Sequence, residues 1–206
     1  MEVKKYIFIH TAKTGGGSIS EVMKRHQIPI DPTNQAPSKQ LWTNKEYDLP
    51  QFKNFNLHSF DFSFGFVRNP YERLVSAFIW DSHPSNPIEQ KSLTQRDFSN
   101  FVKNFVLCEN KFSFFRWSHV MPYFDTRAKL FNDQGDQRVS LIGRFENLQE
   151  DFNIACRKMN IQSQELSHKH KSHHEHYTEY YDDETKQIVA EKYAKDIEHF
   201  GYEFGD

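Results

Sequence analysis

Tyr6-Ile7-Phe8-Ile9-His10-Thr11-Ala12-Lys13-Thr14-Gly15-Gly16-Gly17-Ser18 is the stretch on which the fold turns. Its first four residues form a short continuous apolar run, suited to a strand buried on both faces of a mainly parallel sheet. After the loop, Ile19, Val22 and Met23 fall at i, i+3 and i+4, one face of a helix. Strand, glycine loop and helix in that order bring several backbone N–H groups to one point, with the positive end of a helix dipole behind them. That is an anion cradle, most often for phosphate. Lys13 adds a point charge, Thr14 and Ser18 add hydroxyl donors, and Gly15, Gly16 and Gly17 let a ligand oxygen approach the backbone. The nucleotide P-loop pattern requires glycine six and one residues before its lysine. Ile7 and Ala12 stand there, so an ordinary ATP or GTP loop is disfavoured.

Further along, Ser63 to Val67 reads as a second strand running into Arg68-Asn69-Pro70. Tyr71, Leu74, Val75, Phe78 and Ile79 then repeat at helical spacing, with Asn69 as N-cap and Pro70 at the first helical position. Arg68 thus sits where a strand ends and a helix begins, the usual place for ligand contact in open α/β sheets, and guanidinium suits bidentate phosphate recognition. Arg73, one turn into the helix, reads as a solvated or salt-bridged face residue. Thr94 to Asp97 opens a capping-box-like helix with the stripe Phe98, Phe101, Val102, Phe105 and Val106. Strands are expected at Ala128 to Phe131 and Val139 to Ile142, and helices at Leu148 to Met159 and Asp183 to Phe200, the last closed by Gly201. The polar, proline-bearing stretch Ile28 to Pro50 and the loop Asp81 to Leu93 read as excursions with little regular structure.

The 206 residues fit one domain, 1–206, and 20 Phe, 9 Tyr and 3 Trp supply a core despite a charged content of 26%. Two cysteines, Cys108 and Cys156, with no CxxC spacing, exclude a disulfide framework or a structural zinc site. A formal charge of −2 argues against a general nucleic-acid binder. No apolar run approaches the ~20 residues of a membrane span and no signal segment opens the chain, so the expected location is cytoplasmic, without membrane insertion.

Phe8 to Ser18 and Phe66 to Phe78 together resemble the carbohydrate-sulfotransferase-like group of enzymes that use 3′-phosphoadenosine 5′-phosphosulfate (PAPS), among them the heparan 2-O-sulfotransferases and their bacterial relatives. Members read like FIHIPKTGGTS at the first motif and FVRNPxxRLVSAY at the second. Leu141 to Leu148 and Tyr193 to Phe204 are similar to the same group. The resemblance implies an α/β fold with a central, mainly parallel sheet flanked by helices, the P-loop-like sulfotransferase fold. It also implies transfer of a sulfuryl group from PAPS to a hydroxyl, here of a saccharide acceptor, releasing adenosine 3′,5′-bisphosphate without a metal. Lys13, Thr14, Gly15, Gly16, Gly17 and Ser18 would hold the 5′-phosphosulfate, with Lys13 beside the bridging oxygen; Arg68 and Ser76 would hold the 3′-phosphate. Ala12 replaces the group's usual proline and Gly17 its usual threonine. His119 to Tyr123 resembles a stretch that more often reads HxxPQ, with Tyr123 in place of glutamine.

Transfer to a hydroxyl needs a base, and histidine is the commonest near neutral pH. His58, ten residues before Arg68, occupies a place resembling that of the heparan group's base; Asp61 and His119 are the alternatives. His10, at the end of the first strand, reads as a packing residue. His168 to His176 lacks the HExxH spacing, since Thr178 stands where the second ligand belongs, and is not read as a metal site. In the resembled group this region can help hold phosphates, which makes Lys169, Lys171 and Ser172 secondary candidates. The rival functions are an ATP-dependent kinase of small molecules and a nucleotide-binding relative that has lost transfer.

Overall fold

The computed structural model describes residues 4–30, 57–82, 93–106, 118–125, 128–167 and 175–206. Strand β1 (Tyr6–Ile9) leads through the glycine loop into helix α1 (Gly16–Arg25), and β2 (Phe62–Val67) leads through Arg68 and Asn69 into α2 (Pro70–Ser82). There follow α3 (Gln95–Phe101), β3 (Leu141–Arg144), α4 (Leu148–Lys158), α5 (Asp183–Lys192) and α6 (Ala194–Phe200). The strands form one parallel sheet in the order β1-β2-β3, with Tyr6 opposite Phe62 and Val67 opposite Arg144. The α/β architecture with a central parallel sheet flanked by helices is therefore the observed one.

Period-two alternation divides the core. Phe8, Phe62, Phe64 and Phe66 face α1 (Ile19, Val22, Met23) and α4 (Phe152, Ala155, Cys156). Ile7, Ile9 and Val67 face the other way, against Tyr123, Leu130, Phe131, Val139 and Tyr202. A third cluster joins α2, α3 and α5 through Leu74, Phe78, Phe98 and Val189. The helix starts follow their capping residues. Asn69 Oδ1 accepts from the Tyr71 N–H at 3.0 Å, and Thr94 forms a reciprocal capping box with Asp97.

Three expectations change. Ala128 to Phe131 is not a strand: Lys129 has φ 63°, Phe131 makes an isolated antiparallel bridge to Gln137, and Asn132 Oδ1 accepts the N–H groups of Gln134 and Asp136 to close a turn. The following strand starts two residues late, at Leu141, with Ser140 hydrogen-bonded to Ser63 just before it. The last helix is two, broken at Tyr193, whose φ and ψ of −107° and 20° are not helical. Gly201 closes it at φ 65° as expected. Cys108, Lys169, Lys171, Ser172 and most of both excursions lie outside the described residues.

Candidate anion-binding site at the strand C-terminal ends

The parallel register puts the ends of β1 and β2 side by side, so the glycine loop and Arg68 meet at one edge of the sheet. Lys13, with φ 65°, and Gly15, with φ 77°, both take left-handed backbone, a conformation from which anion-binding nests of N–H groups are built. The N–H groups of Thr14, Gly15, Gly16 and Gly17 have no acceptor among the described residues. A side chain at position 16 would meet His10: a Cβ there would lie 2.0 Å from its ring. His10, stacked on Phe8 at 5.7 Å, is the packing residue its position suggested.

The loop's side chains divide into two sets. Thr14 is fully buried, and its hydroxyl donates to the Thr11 carbonyl at 2.9 Å, while Thr11 in turn donates to the Phe66 carbonyl. Ser18 Oγ donates to the Ser167 carbonyl at 2.5 Å. Both hydroxyl protons expected for a ligand are thus spent inside the protein: Thr14 braces the loop internally while Thr11 ties it to β2, and Ser18 bonds Ser167. Lys13 points elsewhere. Its Nζ stands 5.7 Å from the centroid of Trp80 and has no carboxylate partner among the described residues. Burial, and then the charge of Arg68, pull its ammonium down to a pKa of about 8.

Arg68 is 7% exposed. Glu72 takes its Nε at 3.1 Å and Nη2 at 2.7 Å, Nη1 donates to the Lys13 carbonyl at 3.2 Å, and the guanidinium lies 4.0 Å over the Phe145 ring. Guanidinium carries five N–H donors, so two are left over by these contacts. Ser76 follows Glu72 by one helical turn, half-buried, on the line Arg68, Glu72, Ser76. The C-terminal segment closes this edge: Asn69 Nδ2 donates to the Glu203 carbonyl, Arg144 to that of Phe200, and Tyr202 to Glu146.

His58 lies exposed in a short 3-10 turn, Leu57–Ser59, which precedes the edge where Asp61 and Lys5 exchange hydrogen bonds. β2 then runs roughly 17 Å, at ~3.3 Å per residue, before Arg68 is reached. Asp61 is at the same far edge. His119 is at the near one: its ring stacks on Trp80 with centroids 4.6 Å apart and planes 10° apart, on the same indole that Lys13 approaches.

Three residues central to the site were not legible as such. Arg73 is buried, 3% exposed, and donates to the carbonyls of Ala12, Met121 and Ser118 at 3.1, 2.8 and 3.3 Å. Tyr123 lies under it, 4.4 Å from ring centroid to guanidinium, and its hydroxyl accepts the Arg68 backbone N–H at 2.9 Å. Burial pushes that phenol up to about 12, so it stays neutral. Asp196 is fully buried and accepts the N–H groups of Tyr123 and Phe124 at 2.8 and 3.1 Å. The available signal for Arg73 was its stripe, which continues through Ala77 and Trp80.

A parallel sheet with a basic, N–H-lined loop at its strand ends is an α/β arrangement with a candidate anion cradle. Residues 2–203 match the model of the sulfotransferase family, and the chain belongs to that family. No curated protein and no solved structure matches it. Membership carries sulfuryl transfer as the general chemistry. Among the described residues no group of His, Cys, Asp and Glu is arranged to hold a metal ion, and no helix is long and apolar enough to cross a membrane.

Proposed function

We propose that the protein transfers a sulfuryl group from PAPS to a hydroxyl of a saccharide. The observation that carries this is the glycine loop, whose N–H groups from Thr14 to Gly17 lack acceptors among the described residues, together with a Lys13 ammonium that has no carboxylate partner among them. That donor set fits a phosphosulfate. When bound, PAPS supplies a sulfuryl group on a phosphate leaving group. The loop N–H groups hold the 5′-phosphosulfate and Lys13 meets the negative charge that grows on the bridging oxygen. The remaining donors of Arg68, with the Ser76 hydroxyl, hold the 3′-phosphate. His119 takes the acceptor proton, replacing His58 in that role, because it shares Trp80 with Lys13. The saccharide acceptor follows from the likeness of both motifs to carbohydrate sulfotransferases.

Thermal shift separates this from the kinase reading. Adenosine 3′,5′-bisphosphate should raise Tm at concentrations where ATP with magnesium does not, since only ligands that bind the folded state stabilise it. Stabilisation by ATP with magnesium alone would overturn the proposal. Labelled-sulfuryl transfer to a panel of saccharides then distinguishes an enzyme from a relative that only binds.

A further inference from the structure

We propose that Arg73 is the positioning residue of this site, fixing the segment that carries His119 against the loop that carries Lys13. The inference rests on the proposed function for its chemistry, but its geometry stands apart from it. One guanidinium gathers three main-chain carbonyls from two segments distant in sequence: Ala12, next to Lys13, and Ser118 and Met121, which flank His119. A planar fork with five donors can serve three acceptors in fixed directions at once; an ammonium, a single point on a flexible stem, cannot.

The same segment is gripped from its other side by the opposite charge. The Asp196 carboxylate, on α6, accepts the N–H groups of Tyr123 and Phe124, and the Tyr123 ring lies under the Arg73 guanidinium. Residues 118–124 are therefore held by a buried cation through their carbonyls and a buried anion through their N–H groups. Buried charged groups are seldom the most stable way to fill a core, and their best-attested use is to fix one arrangement among several. Here the arrangement fixed is the placing of Lys13 and His119, both of which approach the Trp80 ring. Displacements of roughly 1 Å between reacting groups can cost about 10² in rate, so a strut at this point has a functional consequence.

The test compares Arg73→Lys, which keeps charge and approximate volume, with His119→Ala and the double variant. Arg73→Lys is expected to lose about 10² in kcat while its affinity for adenosine 3′,5′-bisphosphate changes far less. In the His119→Ala background the same change should cost no more than about twofold, the tolerance within which independent effects add. Full additivity, or parallel loss of kcat and nucleotide affinity, overturns the proposal. A second readout needs no turnover. The His119 ring-proton NMR resonance, displaced by the Trp80 ring current in the native protein, should move toward its free-histidine position in Arg73→Lys; an unmoved resonance overturns the proposal. If Arg73→Lys does not fold, Asp196→Asn takes its place with the same expected signs. Absence of transfer by the native protein, with a resonance that still moves, would overturn the proposed function and leave Arg73 as the strut.

Discussion

Arg68 donates from Nη1 to the main-chain carbonyl of Lys13, 3.2 Å away, so one cation of the site holds the backbone of the other. Lys13 needs that hold, because left-handed backbone at φ 65° costs a non-glycine residue roughly 1–2 kcal/mol. The arrangement has an electrostatic consequence too. Two positive groups share a buried edge, and only Arg68 has a carboxylate, Glu72, to offset it among the described residues. Lys13 is thereby left to meet the anionic ligand of the proposed function.

Lys13 should therefore titrate within reach of ordinary assays. Its ammonium, lowered to about 8, loses its proton as pH rises through that value, so kcat/KM is expected to fall on the alkaline side near pH 8. A bound anionic nucleotide favours the charged form and should move the corresponding limb of kcat to higher pH. Rate profiles measured at low and at saturating nucleotide check both.

Lys13→Ala is expected to lower kcat by on the order of 10² to 10³, with a much smaller loss of affinity for adenosine 3′,5′-bisphosphate. Charge on the bridging oxygen grows only as the sulfur–oxygen bond breaks, so the interaction is strongest in the transition state. Single-turnover rates beside calorimetric binding separate the two effects. A collapsed affinity with near-normal kcat would make Lys13 a simple anchor.

Gly16→Ala sets two effects against each other. Alanine within a helix would ordinarily gain about 0.5–1 kcal/mol over glycine. Here its Cβ would meet the His10 ring at 2.0 Å, and overpacking of this kind costs typically 1–3 kcal/mol, so the variant should be less stable. Adding His10→Ala should recover part of the loss. Urea denaturation of the single and double variants checks the sign.

Asp196 makes stability depend on pH. Burial pushes its carboxyl up to about 6 against the pull of the Tyr123 N–H, Arg73, the Phe124 N–H and His199. Between the ordinary carboxylate value near 4 and about 6 the folded chain binds more protons than the unfolded one, so this group's contribution falls as pH rises across that window. Asp196→Asn should flatten that part of the profile, measured as unfolding free energy from pH 4 to 7.

The sheet and the cradle were readable because each rests on local pattern: the apolar run of β1, the helical spacing after Gly17, and Asn69 with Pro70 opening α2. What could not be read is where long-range contacts decide. Arg73 looks like a surface residue until Ala12, Ser118 and Met121 arrive around it, and Thr14 looks like a ligand donor until the Thr11 carbonyl takes its proton. Lys129 and Asn132 made a turn of a stretch whose apolar residues suggested a strand. His58 precedes Arg68 with β2 between them, and His119, much farther along the chain, is the one whose ring folding stacks on Trp80.

The most direct measurement is the rate of labelled-sulfuryl transfer from PAPS by the native chain, His119→Ala and His58→Ala, using a saccharide that the native chain sulfates. His119→Ala should lose about 10² to 10⁴ in rate, the usual worth of a positioned base, while still binding adenosine 3′,5′-bisphosphate. His58→Ala should keep a rate close to the native one. Loss of activity in His58→Ala with His119→Ala unaffected, or no transfer by the native chain to any hydroxyl tried, would contradict the assignment.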